Sequence, residues 1–421
     1  MRVLALADSD SYVKWGAAML DRMPPEWDRA LAVVASTALP TPAQLVAALA
    51  GTSWAGRTPV LTLAALRERV ARERPDVVVL AVRGPVVRVL VREVLAAAPA
   101  PRPVLVSGLP GVSIPATYQA LYYRSQADLV LLHSRRELRA FAGLALQHRM
   151  PQRFALASLP FLGAGADGAG ADGSARVGTD IVFAAQAKVP ALLRERRELV
   201  RGLVDVARTR PDRRVVLKLR GLAGDPQTHA ERHPFDTLLA ELAELPPNVV
   251  IDTGPMAARL ESAAVLATIS STAAIEAIAR GVPVLLIDDF GVSGGLINLV
   301  YTGSGLFGPV SALAGDGFAA PASDWLEDNY LHPPEDADWL IRIEEAVRRR
   351  DAGELPLRRQ FRGRLGGPLR RAWDRKNALG HHDRSLTGRI AFVLVAPLRA
   401  GVRRARALRG RLGRRPGRRP G

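Results

Sequence analysis

The chain has 421 residues, of which 48% are apolar, 24% charged and 5% aromatic, enough for two or three folded domains and too apolar for a chain disordered throughout. It contains no cysteine, which excludes disulfides, thiolate nucleophiles, iron–sulfur clusters and cysteine-built zinc sites. The formal charge of +17 is unevenly placed: residues 357–421 carry +18 and residues 1–356 carry −1, so a nucleic-acid-binding face on the folded body is not indicated.

The opening MRVLALADSDSY passes from a short apolar run straight into two aspartates. That reads as the first strand of a cytoplasmic protein, without the longer apolar core of a secretion signal. Val/Leu/Ile/Ala-rich runs at 2–7, 30–36, 76–82, 103–107 and 128–133 predict strands, and longer periodic segments at 12–23, 63–74, 86–98, 116–126 and 135–146 predict helices. Strands apolar on both faces belong to a parallel sheet covered by helices, with chemistry beyond the strands' carboxyl ends. Residues 163–178, GAGADGAGADGSARVG, read as a flexible linker. Their G-x-G-x-x-G matches lack the preceding strand and following helix of a dinucleotide-binding turn. A second set of strands at 180–185, 214–219, 248–251, 265–269 and 282–287 alternates with helices at 190–209, 234–244, 256–262 and 272–280. A further helix is expected at 336–350. The chain therefore predicts an α/β protein of two Rossmann-like, doubly wound domains facing a cleft, 1–162 for an acceptor and 179–350 for a nucleotide donor. A basic, partly disordered extension at 351–421 follows.

That extension holds an apolar run at 390–398 and then ten arginines without an acid. Nine residues are about half of what a helix needs to cross a bilayer, which leaves two readings, an anionic membrane surface met by residues 386–421 or a solvated tail. Lysine, by contrast, is confined to Lys14, Lys188, Lys218 and Lys376.

The most informative stretch is 268–287, TISSTAAIEAIARGVPVLLI. A strand ends in Ser270, Ser271 and Thr272, a helix starts there, and Gly281 closes it. Hydroxyls at such a helix start can cap it or bind a phosphate, and Glu276 one turn in can accept ribose hydroxyls. This pattern resembles the nucleotide-holding domain of GT-B glycosyltransferases and of sugar-nucleotide 2-epimerases. With VLLHSRRE at 130–137, FAAQAK at 183–188, Lys218-Leu-Arg220, Gln227-Thr-His-Ala-Glu231 and His233-Pro-Phe235, the whole resembles a bacterial family of glycosyltransferase-like proteins. The resemblance implies that Gln186, Lys188, His229, Ser270, Ser271, Thr272 and Glu276 bind the nucleotide of an activated sugar. It also implies that Lys218 and Arg220, with His233 above them, neutralise the departing phosphate. The His-Pro pair is shared with sialyl- and polysialyl-transferases, but their acidic base motif is missing here.

For the base that deprotonates the acceptor, the strand-end candidates are Asp8, Asp10, the turn at 107–111, and His133 with Glu137. Asp10 is preferred, then His133. No cofactor or metal is expected beyond the nucleotide sugar itself. The expected acceptor is a cell-envelope glycan or glycolipid, and no specific nucleic acid is expected. Two other readings compete. Asp8-Ser-Asp10 also resembles the nucleophile motif of haloacid-dehalogenase phosphohydrolases, with Asp288-Asp289 as a magnesium site and Lys218 on the phosphate. The Arg-rich tail could alternatively mark a non-catalytic polyanion binder.

Overall fold

The computed structural model describes residues 1–162, 178–223, 231–357 and 367–394. The linker at 163–177, His229 and the arginine run from 399 lie outside the described residues.

Two parallel sheets carry the architecture. In the first, β1 (Arg2–Ala7), β2 (Asp28–Val34), β3 (Val60–Leu61), β4 (Val77–Ala81), β5 (Val104–Gly108), β6 (Leu129–Leu132) and β7 (Phe154–Leu156) stand in the order β3-β2-β1-β4-β5-β6-β7. In the second, β8 (Asp180–Ala184), β9 (Val215–Lys218), β10 (Val249–Asp252), β11 (Ala263–Thr268), β12 (Val284–Ile287) and β13 (Phe307–Gly308) stand in the order β10-β9-β8-β11-β12-β13. In each sheet the strand order reverses beside the first strand of the set, between β1 and β4 and between β8 and β11. Ligands of open α/β sheets lie at such reversals, beyond the carboxyl ends.

Helices α1 (Asp10–Asp21), α2 (Pro42–Leu49), α3 (Leu63–Glu73), α4 (Gly84–Ala97), α5 (Tyr118–Arg124) and α6 (Arg135–Gln147) precede β8. After it come α7 (Leu193–Thr209), α8 (Phe235–Ala240), α9 (Met256–Ser262), α10 (Ala273–Ala279), α11 (Ser323–Asp328), α12 (Trp339–Asp351) and α13 (Pro368–Leu379). The expected strands and helices form within a few residues of their expected bounds. The elements not anticipated are mostly short or polar: β3, β7, β13, α2, α11, α13 and a helix at 386–394. In α2 the signals were present, a Thr41/Gln44 capping box with proline at the first turn, but only Leu49 is buried.

Compact packing divides the chain into a first unit of Met1–Gly108, Gln119–Val130 and Ile343 onward, and a second of Leu109–Tyr118 and Leu131–Arg342. In the second unit the period of two in the strands sends alternate side chains to two separate cores. Phe183, Leu217 and Ala267 pack on one face with Leu199, Leu203 and Phe235, while Val182, Val216 and Leu266 pack on the other with Leu260, Ala274 and Ile275. In the first unit Leu4, Leu6, Val78 and Leu80 pack against α4 and against Ala378 and Leu379 of α13.

Candidate functional site

In the second unit the strand-order reversal is spanned by a direct bond between two residues expected at the site. Gln186, just past β8, accepts through Oε1 from the amide of Ser270 at 3.0 Å and from its hydroxyl at 2.9 Å. Thr268 anchors the same turn, donating to the Ala184 carbonyl at 2.9 Å and accepting from the Ser271 amide at 3.2 Å. The buried Tyr301 hydroxyl donates to the Ser271 carbonyl at 2.7 Å. A parallel sheet buried on both faces can end in polar groups only if they satisfy one another, and this turn does so.

That self-sufficiency changes one expectation. The Ser271 hydroxyl caps α10 by accepting from the Ala273 amide at 3.2 Å, and the next three amides are taken by the Ser271 and Thr272 carbonyls. The amides of residues 273–276 are therefore spent. A phosphate here would be met by hydroxyl protons, and the Thr272 side chain makes no cap bond. Glu276 sits half-buried in the first turn of α10, and Gly281, at φ 69°, ends the helix as expected.

Next to this turn lies a group of cations. Lys218 ends β9, is buried, and donates from Nζ to the Leu219 carbonyl at 2.5 Å. Parallel register places Asp252, at the end of β10, beside it. Asp252 faces Arg259 of α9 at 3.3 Å, off the hydrogen-bonding axis, so that Oδ2 of the one and Nε of the other are buried without a hydrogen bond. Burial first, then the positive charge of Arg220 and Arg259, lowers the Lys218 pKa, and Asp252 opposes this. Arg220 and Arg259 thus both lie within electrostatic reach of Lys218, and Asp252 is the carboxylate that offsets them. Lys218 is enclosed because its side chain alternates onto the α9 face of the sheet. Arg220 and Lys188 are exposed.

Sequence reasoning missed Asp252, Arg259 and, above all, Arg196. Arg196 lies on α7, is fully buried, and spends its guanidinium on the carbonyls of Pro190, Gln186, Ala187 and His233 and on the Glu231 carboxylate, with its plane 4.6 Å from the Phe235 ring centre. It ties the loop holding Gln186 and Lys188 to the loop holding His233. Its spacing gave a signal: positions 196, 199, 200, 203, 204 and 207 form one apolar helical stripe, and 196 falls on it.

His133, at the end of β6, does not suit the role of base. Its ring nitrogens face two carbonyl oxygens, Nδ1 that of Ala157 at 2.8 Å and Nε2 that of Leu109 at 2.9 Å, so no lone pair is turned toward an acceptor hydroxyl. Glu137 beside it is completely buried and accepts from the His133 amide at 2.8 Å, the Ser113 amide at 2.7 Å and the Tyr330 hydroxyl at 2.6 Å. Burial raises its pKa to about 7 against these three donors. It holds the segment 109–114 in place, and within that segment Gly111 lies against the Thr272 methyl of the turn above.

In the first unit, the corresponding reversal is marked by Asp8 and Arg83. Asp8 is fully buried and accepts from the Arg83 amide and Nε, each at 2.9 Å, and from Ser36 at 3.3 Å. Burial outweighs the arginine and raises the Asp8 pKa. A carboxylate enclosed in this way is not presented as a nucleophile, which removes the physical basis of the phosphohydrolase reading. Asp10 begins α1 behind the N-cap Ser9 and is partly exposed.

Residues 3–346 match a family described as "Putative glycosyltransferase (DUF6716)". No curated protein matches the chain in sequence. Among solved structures, a putative UDP-N-acetylglucosamine 2-epimerase from Listeria monocytogenes is 14% identical with a TM-score of 0.50, over 86% of this chain and 98% of that one. The UDP-GlcNAc 2-epimerase from Neisseria meningitidis bound to UDP-GlcNAc is 11% identical with a TM-score of 0.52, over 82% of this chain and 100% of that one. The S. aureus MnaA structure with UDP is 10% identical with a TM-score of 0.52, over 86% and 100%. These likenesses show the fold, two Rossmann-like units of the GT-B kind.

Proposed function

Because the chain belongs to the family described as putative glycosyltransferases, we propose that it transfers a sugar from a nucleotide-linked donor, held by the second unit, to a hydroxyl of a cell-envelope glycan or lipid-linked acceptor. The observation that carries the donor assignment is the group of Lys218, Arg220 and Arg259, offset by the single carboxylate of Asp252 and set next to the Gln186–Ser270 bridge at the strand-order reversal. Such a group is under mutual repulsion when empty, and an anionic diphosphate relieves it. The structural neighbours named with UDP and UDP-GlcNAc make uridine nucleotides the first donors to test.

In this reading the acceptor oxygen attacks the anomeric carbon, the bond from that carbon to the phosphate oxygen breaks, and the nucleoside phosphate leaves. Lys218 and Arg220, with His233 and His229 nearby in the chain, balance the charge that develops on it. Glu276 takes the ribose hydroxyls, and Gln186, Lys188, Ser270, Ser271 and Thr272 frame the phosphates. Asp10 takes the acceptor's proton. The reaction as proposed uses protein cations where other transferases use a metal, and needs no resident cofactor. It runs on the cytoplasmic side of the membrane, with the protein attached peripherally.

Two outcomes are expected. Lys218→Met should lower turnover at least tenfold, and more than it weakens donor binding, because the charge it meets grows in the transition state. Steady-state and single-turnover rates check this, and normal turnover would return Lys218 to a structural role. Glu276→Ala should cost about 1.5–3 kcal/mol of nucleotide affinity, measured by calorimetry, with the fold intact. The direct test of the function is thermal stabilisation by a panel of nucleoside mono- and diphosphate sugars, since a ligand of the folded state must raise the melting temperature.

A further inference from the structure

Exposed apolar side chains are scattered over most of the described chain, with one concentration. Residues 386–394 form a helix following α13, and Leu386, Ile390, Phe392, Val393 and Leu394 all stand exposed on it, Leu386 and Val393 to 74% and 70%. Leu369 at the start of α13 is exposed as well. Scattered surface leucines need no explanation, but five in nine residues of one helix form a patch that calls for a cover.

The helix is a built element. Ala391 packs with Ala372 and Trp373 of α13, and the Phe392 ring stacks on Trp373 with centres 5.8 Å apart. Asp383 and Ser385 close the turn between the two helices: Arg375 donates to Asp383 at 3.2 Å, to Ser385, and to Thr387 at 2.9 Å, and Lys376 donates to the Asp383 carbonyl at 2.9 Å. At Gly388 a Cβ would run into the Asp383 carboxylate that closes this turn. The anchorage continues into the first unit, where Ala378 and Leu379 enter the core and the Thr37 amide and hydroxyl donate to the Ala378 carbonyl. The apolar side chains are thus displayed outward by a braced pair of helices.

Charge selects the cover. Arg371, Arg384 and Arg389 are exposed on the same two helices and their joining turn, and ten further arginines follow from residue 399. Two copies meeting on this face would bring two such segments of like charge together, whereas an anionic surface neutralises them. The apolar run at 390–398 is nine residues long before Arg399, about half of what a helix needs to cross a bilayer, so it suits lying in the interface and not crossing it. Among the described residues no helix is long and apolar enough to cross a membrane.

We propose that α13 and the helix at 386–394 form a membrane foot, in which Leu386, Ile390, Val393 and Leu394 enter the outer hydrocarbon of an anionic lipid surface while the arginines hold its headgroups. The proposal rests on the transferase reading only for its purpose, bringing the protein to a lipid-borne acceptor; the surface itself stands on the geometry above. The full-length protein is sedimented with vesicles of mixed phosphatidylglycerol and phosphatidylcholine, and with phosphatidylcholine alone. Partition into the anionic vesicles only is expected. The triple variant Ile390→Ser, Val393→Ser, Leu394→Ser keeps every arginine and changes exposed positions, so its fold should hold; its partition constant should fall about tenfold or more. Wild-type partition in the triple variant would assign the attachment to the arginines alone and overturn the foot, as would no binding by the intact protein. A dimer that the triple variant dissociates would give the face to a second copy, and retention on duplex DNA without vesicle binding would give the tail to nucleic acid; either overturns the proposal. Thermal stabilisation by UDP, measured in parallel, keeps the two readings apart: vesicle binding without a nucleotide response would count against the donor site and leave the foot standing.

Discussion

Arg196→Ala should destabilise the protein by about 3–5 kcal/mol, the cost of removing one partner from a buried ion pair. The substitution leaves the Glu231 carboxylate, only 11% exposed, without its counterion, and strips four backbone carbonyls of their donor. Each orphaned acceptor adds a desolvation penalty of its own. Chemical denaturation measures the loss. Arg196→Lys should recover only part of it, since an ammonium keeps the charge but offers three donors where the planar guanidinium serves five acceptors. Nucleotide stabilisation should fall in both variants, because the Gln186 and His233 loops lose their common tie. A loss below about 1 kcal/mol in Arg196→Ala would show that the two loops hold their shape independently.

The second large effect is a pH dependence centred on Glu137. Its carboxyl ionises at about 7 in the folded chain and near about 4.3 when unfolded, so the folded state holds the proton more tightly. The sign follows from linkage: the buried carboxyl costs nothing below the unfolded value, and a penalty accumulates as pH rises through about 4.3 to 7, reaching about 4 kcal/mol above it. Glu137→Gln mimics the protonated acid and cannot ionise. The stability of the variant relative to the parent should therefore shift in its favour by about 2.5 kcal/mol between pH 5 and about 8, whatever other groups titrate. Denaturation of both proteins across that range checks it, and a constant difference would mean that the three hydrogen bonds to Glu137 hold its pKa near the ordinary carboxylate value.

The fold was legible in the sequence wherever burial imposed a period. Strands such as β4 and β8, buried at every position, stand out as apolar runs, and the long helices show their stripes. What escaped was set by tertiary contact: β3 and β13 are two residues long, and α13 is a polar helix held through Ala372, Trp373, Ala378 and Leu379. The site was legible in a similar measure. The motif at 268–287 located the turn, and Gln186 and Ser270 do meet there. Arg196 sits in a run of arginines and glutamates, and only its place on the apolar stripe of α7 sets it apart from them, while Asp252 and Arg259 carry no motif at all. His133 matched a motif, yet what decides its chemistry is a pair of carbonyls 24 residues to either side of it.

The place of α13 in the first unit bears on how the protein is made. Ala378 and Leu379 fill part of the core that Leu4, Leu6, Leu90 and Leu105 begin. During synthesis that core cannot close when residue 108 leaves the ribosome; it must wait for roughly the whole second unit to be threaded out first. The early strands spend that interval with an incomplete cover, the state in which apolar edges aggregate and chaperones are engaged. For the same reason, a stop codon anywhere between residues 343 and 379 would injure the first unit, whose strands are all encoded hundreds of bases upstream.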